Sequence, residues 1–80
     1  MKYKKWLQDE ADVLLEMDWT YDEDTGSFVN AEGDLSVRKE VTRKPKVATY
    51  YLIKYSVLKS DTIMEETKKY DSMDTLIKYI

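Results

Sequence analysis

Hydrophobic and polar positions alternate along this chain with two different periods. From Tyr3 to Met17 the period is that of an amphipathic helix. Tyr3, Trp6, Leu7, Val13, Leu14 and Met17 recur at three- and four-residue spacings, Ala11 and Leu15 widen the stripe, and Lys5, Gln8, Asp9, Asp12 and Glu16 take the other side. Lys2, Lys4 and Lys5 stand at the end where the helix dipole disfavours cations, so the first turn is expected to fray.

From Asp18 onward the period shortens to two. Trp19 and Tyr21 alternate with Asp18, Thr20 and Asp22, and Ser27-Phe28-Val29 returns, which predicts a hairpin over 18–30. Gly26 and Gly33 supply the positive φ that closes the turns Asp22–Gly26 and Asn30–Gly33. Leu35, Val37 and Val41 mark a third strand, with Ser36, Arg38 and Glu40 facing out. Arg43-Lys44-Pro45-Lys46 is a break, because proline cannot donate to a ladder and holds the residue before it extended.

The longest β-favouring run follows, Val47 to Leu58, twelve residues without Gly or Pro. One side carries Val47, Thr49, Tyr51, Ile53, Tyr55 and Val57, the other Ala48, Tyr50, Leu52, Lys54, Ser56 and Leu58, a pattern expected of a central strand partly covered on both sides. Lys59-Ser60-Asp61 turns the chain, and Thr62–Tyr70 reads as an edge strand guarded by charges. Asp71 or Ser72 then caps a last helix whose Met73, Leu76, Ile77 and Ile80 fall at i, i+3, i+4 and i+7. The predicted fold is α+β: a four- to five-stranded antiparallel meander in one domain, with the N- and C-terminal helices packed on one face.

Composition narrows the chemistry. With no His and no Cys, there is no imidazole base, no thiolate and no nitrogen or sulfur set for zinc. A disulfide framework is excluded as well. The expectation is a protein that is not an enzyme and carries no cofactor and no metal. The cluster Asp18, Asp22, Glu23 and Asp24 raises the calcium question, but counting back from Gly26 puts Tyr21 where the first carboxylate of such a loop belongs. A hairpin turn accounts for it better. No run approaches a membrane span, and Met1–Asp9 has a basic start with no apolar run behind it, unlike a signal peptide, so a cytoplasmic setting is expected.

The net charge of −3 is unevenly spread. Residues 1–34 hold three Lys against ten acidic residues, and residues 35–59 hold seven Lys or Arg against one Glu. This bears on partners rather than fold. Two surfaces follow. One is acidic: Asp9, Asp12, Glu16, Asp18, Asp22, Glu23 and Asp24. The other is basic, around the Pro45 break: Arg38, Lys39, Arg43, Lys44 and Lys46, which could track a phosphate backbone beside Tyr50, Tyr51 and Tyr55. Seven Tyr and two Trp exceed what a sheet this small can hide. Trp6, Tyr3, Tyr79 and one face of the long strand are expected in the core, and Tyr or Trp left outside are the residue types that protein interfaces favour.

With its dense acidic stretch (Asp9, Glu10, Asp12, Glu16, Asp18, Asp22, Glu23, Asp24), the chain resembles in general style the small accessory proteins of phages and mobile elements, among them anti-CRISPR and anti-restriction inhibitors. No motif carries the resemblance. It implies an inhibitor or modulator whose carboxylates occupy a basic, nucleic-acid-binding site on a protein partner such as a nuclease complex. The alternatives are a nucleic-acid binder using the hairpin 38–46, and a structural or homo-oligomeric protein pairing through the edge strand at 62–70. Both monomer and dimer are compatible with the sequence.

Overall fold

A computed structural model of the chain describes residues 3–58 and 61–80, and side chains for all of these except 57, 58 and 61–65. The elements are α1 (Gln8–Glu16), β1 (Thr20–Asp22), β2 (Ser27–Val29), β3 (Leu35–Arg43), β4 (Lys46–Leu58), β5 (Asp61–Tyr70) and α2 (Met73–Lys78). The five strands form one antiparallel sheet in chain order, the predicted meander, with a helix at each end of the chain. The turn expected at Lys59-Ser60-Asp61 lies mostly outside the described residues.

The central run is the longest strand. Its thirteen residues, at about 3.3 Å each, account for the molecule's longest dimension of 42 Å. Helix α1 has nine residues and, at about 1.5 Å each, covers only a third of that length. The consequences of this mismatch run through the whole molecule.

One face of the sheet carries the core. Trp6, Ala11, Leu14, Trp19, Phe28, Val37, Tyr50, Leu52, Met73 and Leu76 form a single cluster, so both helices pack on the same side. Aromatic edges meet aromatic faces within it: Trp6 and Phe28 centroids lie 5.1 Å apart at 88°, and Tyr3 and Tyr21 lie 5.0 Å apart at 72°.

Several sequence expectations are corrected. The N-terminal helix starts at Gln8, not Tyr3. Lys5 adopts φ +66°, which ends any helical path there. Trp6 instead docks from a turn, donating its indole N–H to the Gly26 carbonyl at 2.8 Å. The lysines thus precede the helix, and its first turn holds Asp9 and Glu10, as the dipole prefers. Of the predicted stripe in the helix itself, only Ala11 and Leu14 are buried; Leu7, Val13, Leu15 and Met17 are all more than a third exposed. Tyr79 is not core: it is 66% exposed and stacks on Tyr70, centroids 5.6 Å apart. In α2, capped by the Ser72 hydroxyl accepting from Thr75 N–H, Met73 and Leu76 are buried while Ile80 lies in solvent.

Ser36 does not face solvent as expected. It is buried, as is Ser27, on the face without helices. Cross-strand pairing sets Thr20, Val29, Ser36, Ile53 and Thr67 in a row across all five strands. Ser36, in the middle of that row, lines a shallow depression together with Ser27, Arg38, Ile53 and Tyr55.

Candidate functional site

Helix α1 meets the sheet through a charged contact. Glu10 shares the inward side of the helix with Ala11 and Leu14, and its carboxylate accepts three hydrogen bonds. Oε1 accepts from the Leu7 backbone N–H at 2.9 Å, closing the helix start, and from Lys39 Nζ at 2.6 Å. Oε2 accepts from the Tyr50 hydroxyl. The Lys39 ammonium also lies over the Tyr50 ring, 5.3 Å from its centroid. Side-chain exposures of 5% for Lys39 and 10% for Glu10 make this a desolvated ion pair. Burial by itself raises the Glu10 pKa, but the hydrogen bonds from Lys39, Tyr50 and Leu7 and the Lys39 charge outweigh it and hold the carboxyl below its usual range. Burial, and then the bond to Glu10 and its charge, push the Tyr50 hydroxyl well above the usual tyrosine range.

This contact corrects one assignment: Lys39 is not available to a phosphate backbone. Glu10, part of the dense acidic stretch in the sequence, is withdrawn from the surface by the same contact. The remaining basic residues do not form one surface either. Arg38 is on the helix-free face, 5.1 Å over the Tyr51 ring and 3.5 Å from Glu40. Arg43 and Lys46 are cross-strand partners on the helix-bearing face at the far end of β3 and β4, with Lys44 in the turn between them at a cis Lys44–Pro45 bond.

The acidic residues fall into three groups. Asp9, Asp12 and Glu16 are exposed along α1, and Asp18, at φ +65°, is exposed just past its C-terminus. Asp22, Glu23 and Asp24 form the β1–β2 turn, closed by Gly26 N–H to the Asp22 carbonyl at 2.8 Å, with Asp22 Oδ1 accepting from Asp24 N–H at 3.0 Å. That turn sits against the N-terminal segment. Glu23 and Asp24 share a depression with Lys4 and Lys5, so their charge is offset locally. Among the described residues no three acidic side chains converge to hold a metal ion, and no helix is long and apolar enough to cross a membrane.

A depression of about 660 Å³ lies at the N-terminal end of α1, where the β3–β4 hairpin runs on past the helix. Leu7, Val41, Ala48 and Tyr50 make its floor; Lys5, Arg43 and Lys46 stand at its rim. Sequence reasoning missed this groove, because it is created by the unequal lengths of helix and hairpin.

The chain matches no protein-family model, no curated protein and no solved structure.

Proposed function

We propose that this chain is a non-catalytic protein that binds and modulates a macromolecular partner, presenting the outer side of α1 to a basic site on that partner. The observation that carries the reading is the composition of that outer side. Asp9, Asp12, Val13 and Glu16 fall at i, i+3, i+4 and i+7, opposite the buried Ala11 and Leu14. An ordinary solvated helix sets cations four residues from its acids, each pair contributing about 0.3 kcal/mol. Here Asp12 and Glu16, one turn apart, are both acidic, and no Lys or Arg occurs from Trp6 to Val37. Among the described residues none of the three carboxylates has an ion-pair partner. Val13, Leu15 and Met17, each over a third exposed, add apolar contact at the margin of the stripe. Carboxylates at such spacing suit a groove lined with Lys and Arg, including one that otherwise holds a nucleic acid. The turn residues Glu23 and Asp24 are secondary, given Lys4 and Lys5 beside them.

The test compares the wild-type chain with an Asp9→Lys, Asp12→Lys, Glu16→Lys variant as bait in host lysate, with circular dichroism to establish that both fold. A partner retained by the wild type and lost by the variant, with an association rate that falls steeply with salt for the wild type alone, is the expected result. Equal capture by both chains would remove α1 from the interface.

The nucleic-acid reading retains only Arg43, Lys44 and Lys46 as a joint surface, since Lys39 is buried and Arg38 faces the other way.

A further inference from the structure

Strand β3 is paired along its whole length on one side only. Toward β4 it is bonded from Leu35 to Arg43, but toward β2 the register covers only Ser36 and Val37. The direction of its free groups follows from two bonds. Asn30 N–H donates to the Leu35 carbonyl, and Tyr55 N–H donates to the Asp34 carbonyl. Odd-numbered residues of this strand therefore direct their backbone groups toward β2, and even-numbered ones toward β4. Beyond Val37 the strand on that side has ended, so Lys39, Val41 and Arg43 present N–H and C=O to an open edge. The side chains of Val41 and Arg43 face the groove described above.

We infer that this edge is a docking site for an extended peptide segment of a partner protein, one that carries an apolar residue flanked at both second neighbours by carboxylates. Such a segment adds a sixth strand beside β3. Its apolar residue, opposite Val41, lies over the floor of Leu7, Val41 and Ala48. One carboxylate falls opposite Arg43, within reach of Lys46, and the other lies toward Lys5. The charges also argue against the competing occupant, a second copy of the same edge. Antiparallel self-pairing about Val41 sets Arg43 of each chain opposite Lys39 of the other, a cation already neutralised by Glu10, so a second copy brings no counter-charge to Arg43 and Lys46. Lysine and arginine on an edge guard against self-association; they do not guard against an acidic strand. The Lys5–Glu40 bond that crosses the edge, 3.4 Å long, joins side chains about half exposed, so it yields at small cost. This site is independent of the role proposed for α1.

The probe is the acetylated, amidated peptide Thr-Glu-Thr-Ile-Thr-Glu-Thr, titrated into the ¹⁵N-labelled chain. It is expected to shift the Val41 and Arg43 amides and slow their hydrogen exchange. The same peptide with Lys for both Glu is expected to bind about fivefold more weakly, and N-methylation of its Ile to abolish binding. The Arg43→Glu, Lys46→Glu variant reverses the preference between the two charged peptides. The inference is overturned if the Val41 and Arg43 amides do not respond up to about 1 mM peptide, or if both peptides act alike. It is equally overturned if those amides move on concentrating the chain alone, which assigns the edge to a second copy. A short oligonucleotide binding at Arg43 and Lys46 while the acidic peptide does not would assign the hairpin to nucleic acid instead.

Discussion

The β3–β4 hairpin has an inner and an outer half built on one alternation, and the two halves behave as different materials. In the inner half, Val37 pairs with Leu52 and Lys39 with Tyr50, all four buried. In the outer half, on the same face, Val41 pairs with Ala48 and Arg43 with Lys46, and exposure rises toward the tip. On β3 the two halves read alike: each sets a valine and then a cation on this face. The difference is that α1 ends its cover between the two. Lys39 lies beneath it and must find Glu10, while Arg43, four residues on, lies in open water. Burial in this fold is decided by the length of the covering helix more than by the strand pattern, and the groove is the boundary.

The comparison is broken most severely by removing what fixes the cover in place. Phe28 and Leu14 are fully buried, one in the sheet and one on the helix above it. Phe28→Ala or Leu14→Ala is expected to cost about 3–4 kcal/mol, a large part of the stability of a domain this size. Chemical denaturation checks this. A loss below about 1 kcal/mol would mean that the helix–sheet layer contributes little.

Next in size is the ion pair. Lys39→Ala leaves the Glu10 carboxylate desolvated and without its cation, at an expected cost of about 3 kcal/mol. Lys39→Met paired with Glu10→Gln keeps the volume and removes both charges, and should recover much of that loss. If the double variant is as unstable as Lys39→Ala, restoring the side-chain stems recovers nothing, and the contact is held by the paired charges and not by packing.

The same group gives a pH dependence with a defined sign. Glu10 has a folded pKa below its unfolded value, so its contribution is complete above about pH 5 and is lost as the pH falls toward the folded value. Tyr50 is the mirror case: a raised hydroxyl pKa gives stability that is full below about pH 10 and declines above it. Denaturation midpoints measured from acid to alkali should fall at both ends. The Lys39→Ala variant should flatten the acid limb, and Tyr50→Phe should remove the alkaline decline attributable to this group.

The meander was legible because turn residues punctuate it: Gly26 and Gly33 both hold positive φ in the turns the sequence marks, and Pro45 stands between β3 and β4. The Glu10–Lys39–Tyr50 contact is also written in the pattern. Lys39 shares parity with Leu35, Val37 and Val41, so a strand that buries those residues must bury Lys39. Glu10 sits between Leu7 and Ala11 on the inward stripe, and a charge at each such position implies the other. Other features had no sequence signal. That Trp6 docks from a turn depends on Lys5 adopting φ +66°, a conformation no residue type there announces. That Ser27 and Ser36 are buried depends on the bulk of neighbours from other strands. The acidic set, uniform in the sequence, was divided by topology: the β1–β2 turn folds back to Lys4 and Lys5, while α1 keeps its carboxylates in solvent.

The smallest expected effect is the sharpest measure of the contrast. Arg43→Ala and Lys46→Ala remove charges that face each other across the outermost pair of the hairpin, beyond the cover of α1. Each should change stability by no more than about 0.5 kcal/mol, and relief of like-charge repulsion favours a slight gain. The decisive quantity is coupling. Glu10 and Lys39 touch, so a double-mutant cycle between them should return an interaction of more than about 1 kcal/mol. Lys39 and Arg43 are four residues apart on one strand, about 13 Å at the usual rise, and share no partner, so their cycle should close to within about 0.3 kcal/mol. A large coupling between Lys39 and Arg43 would show that the outer half is energetically continuous with the core, and that filling the groove would also be felt at Glu10.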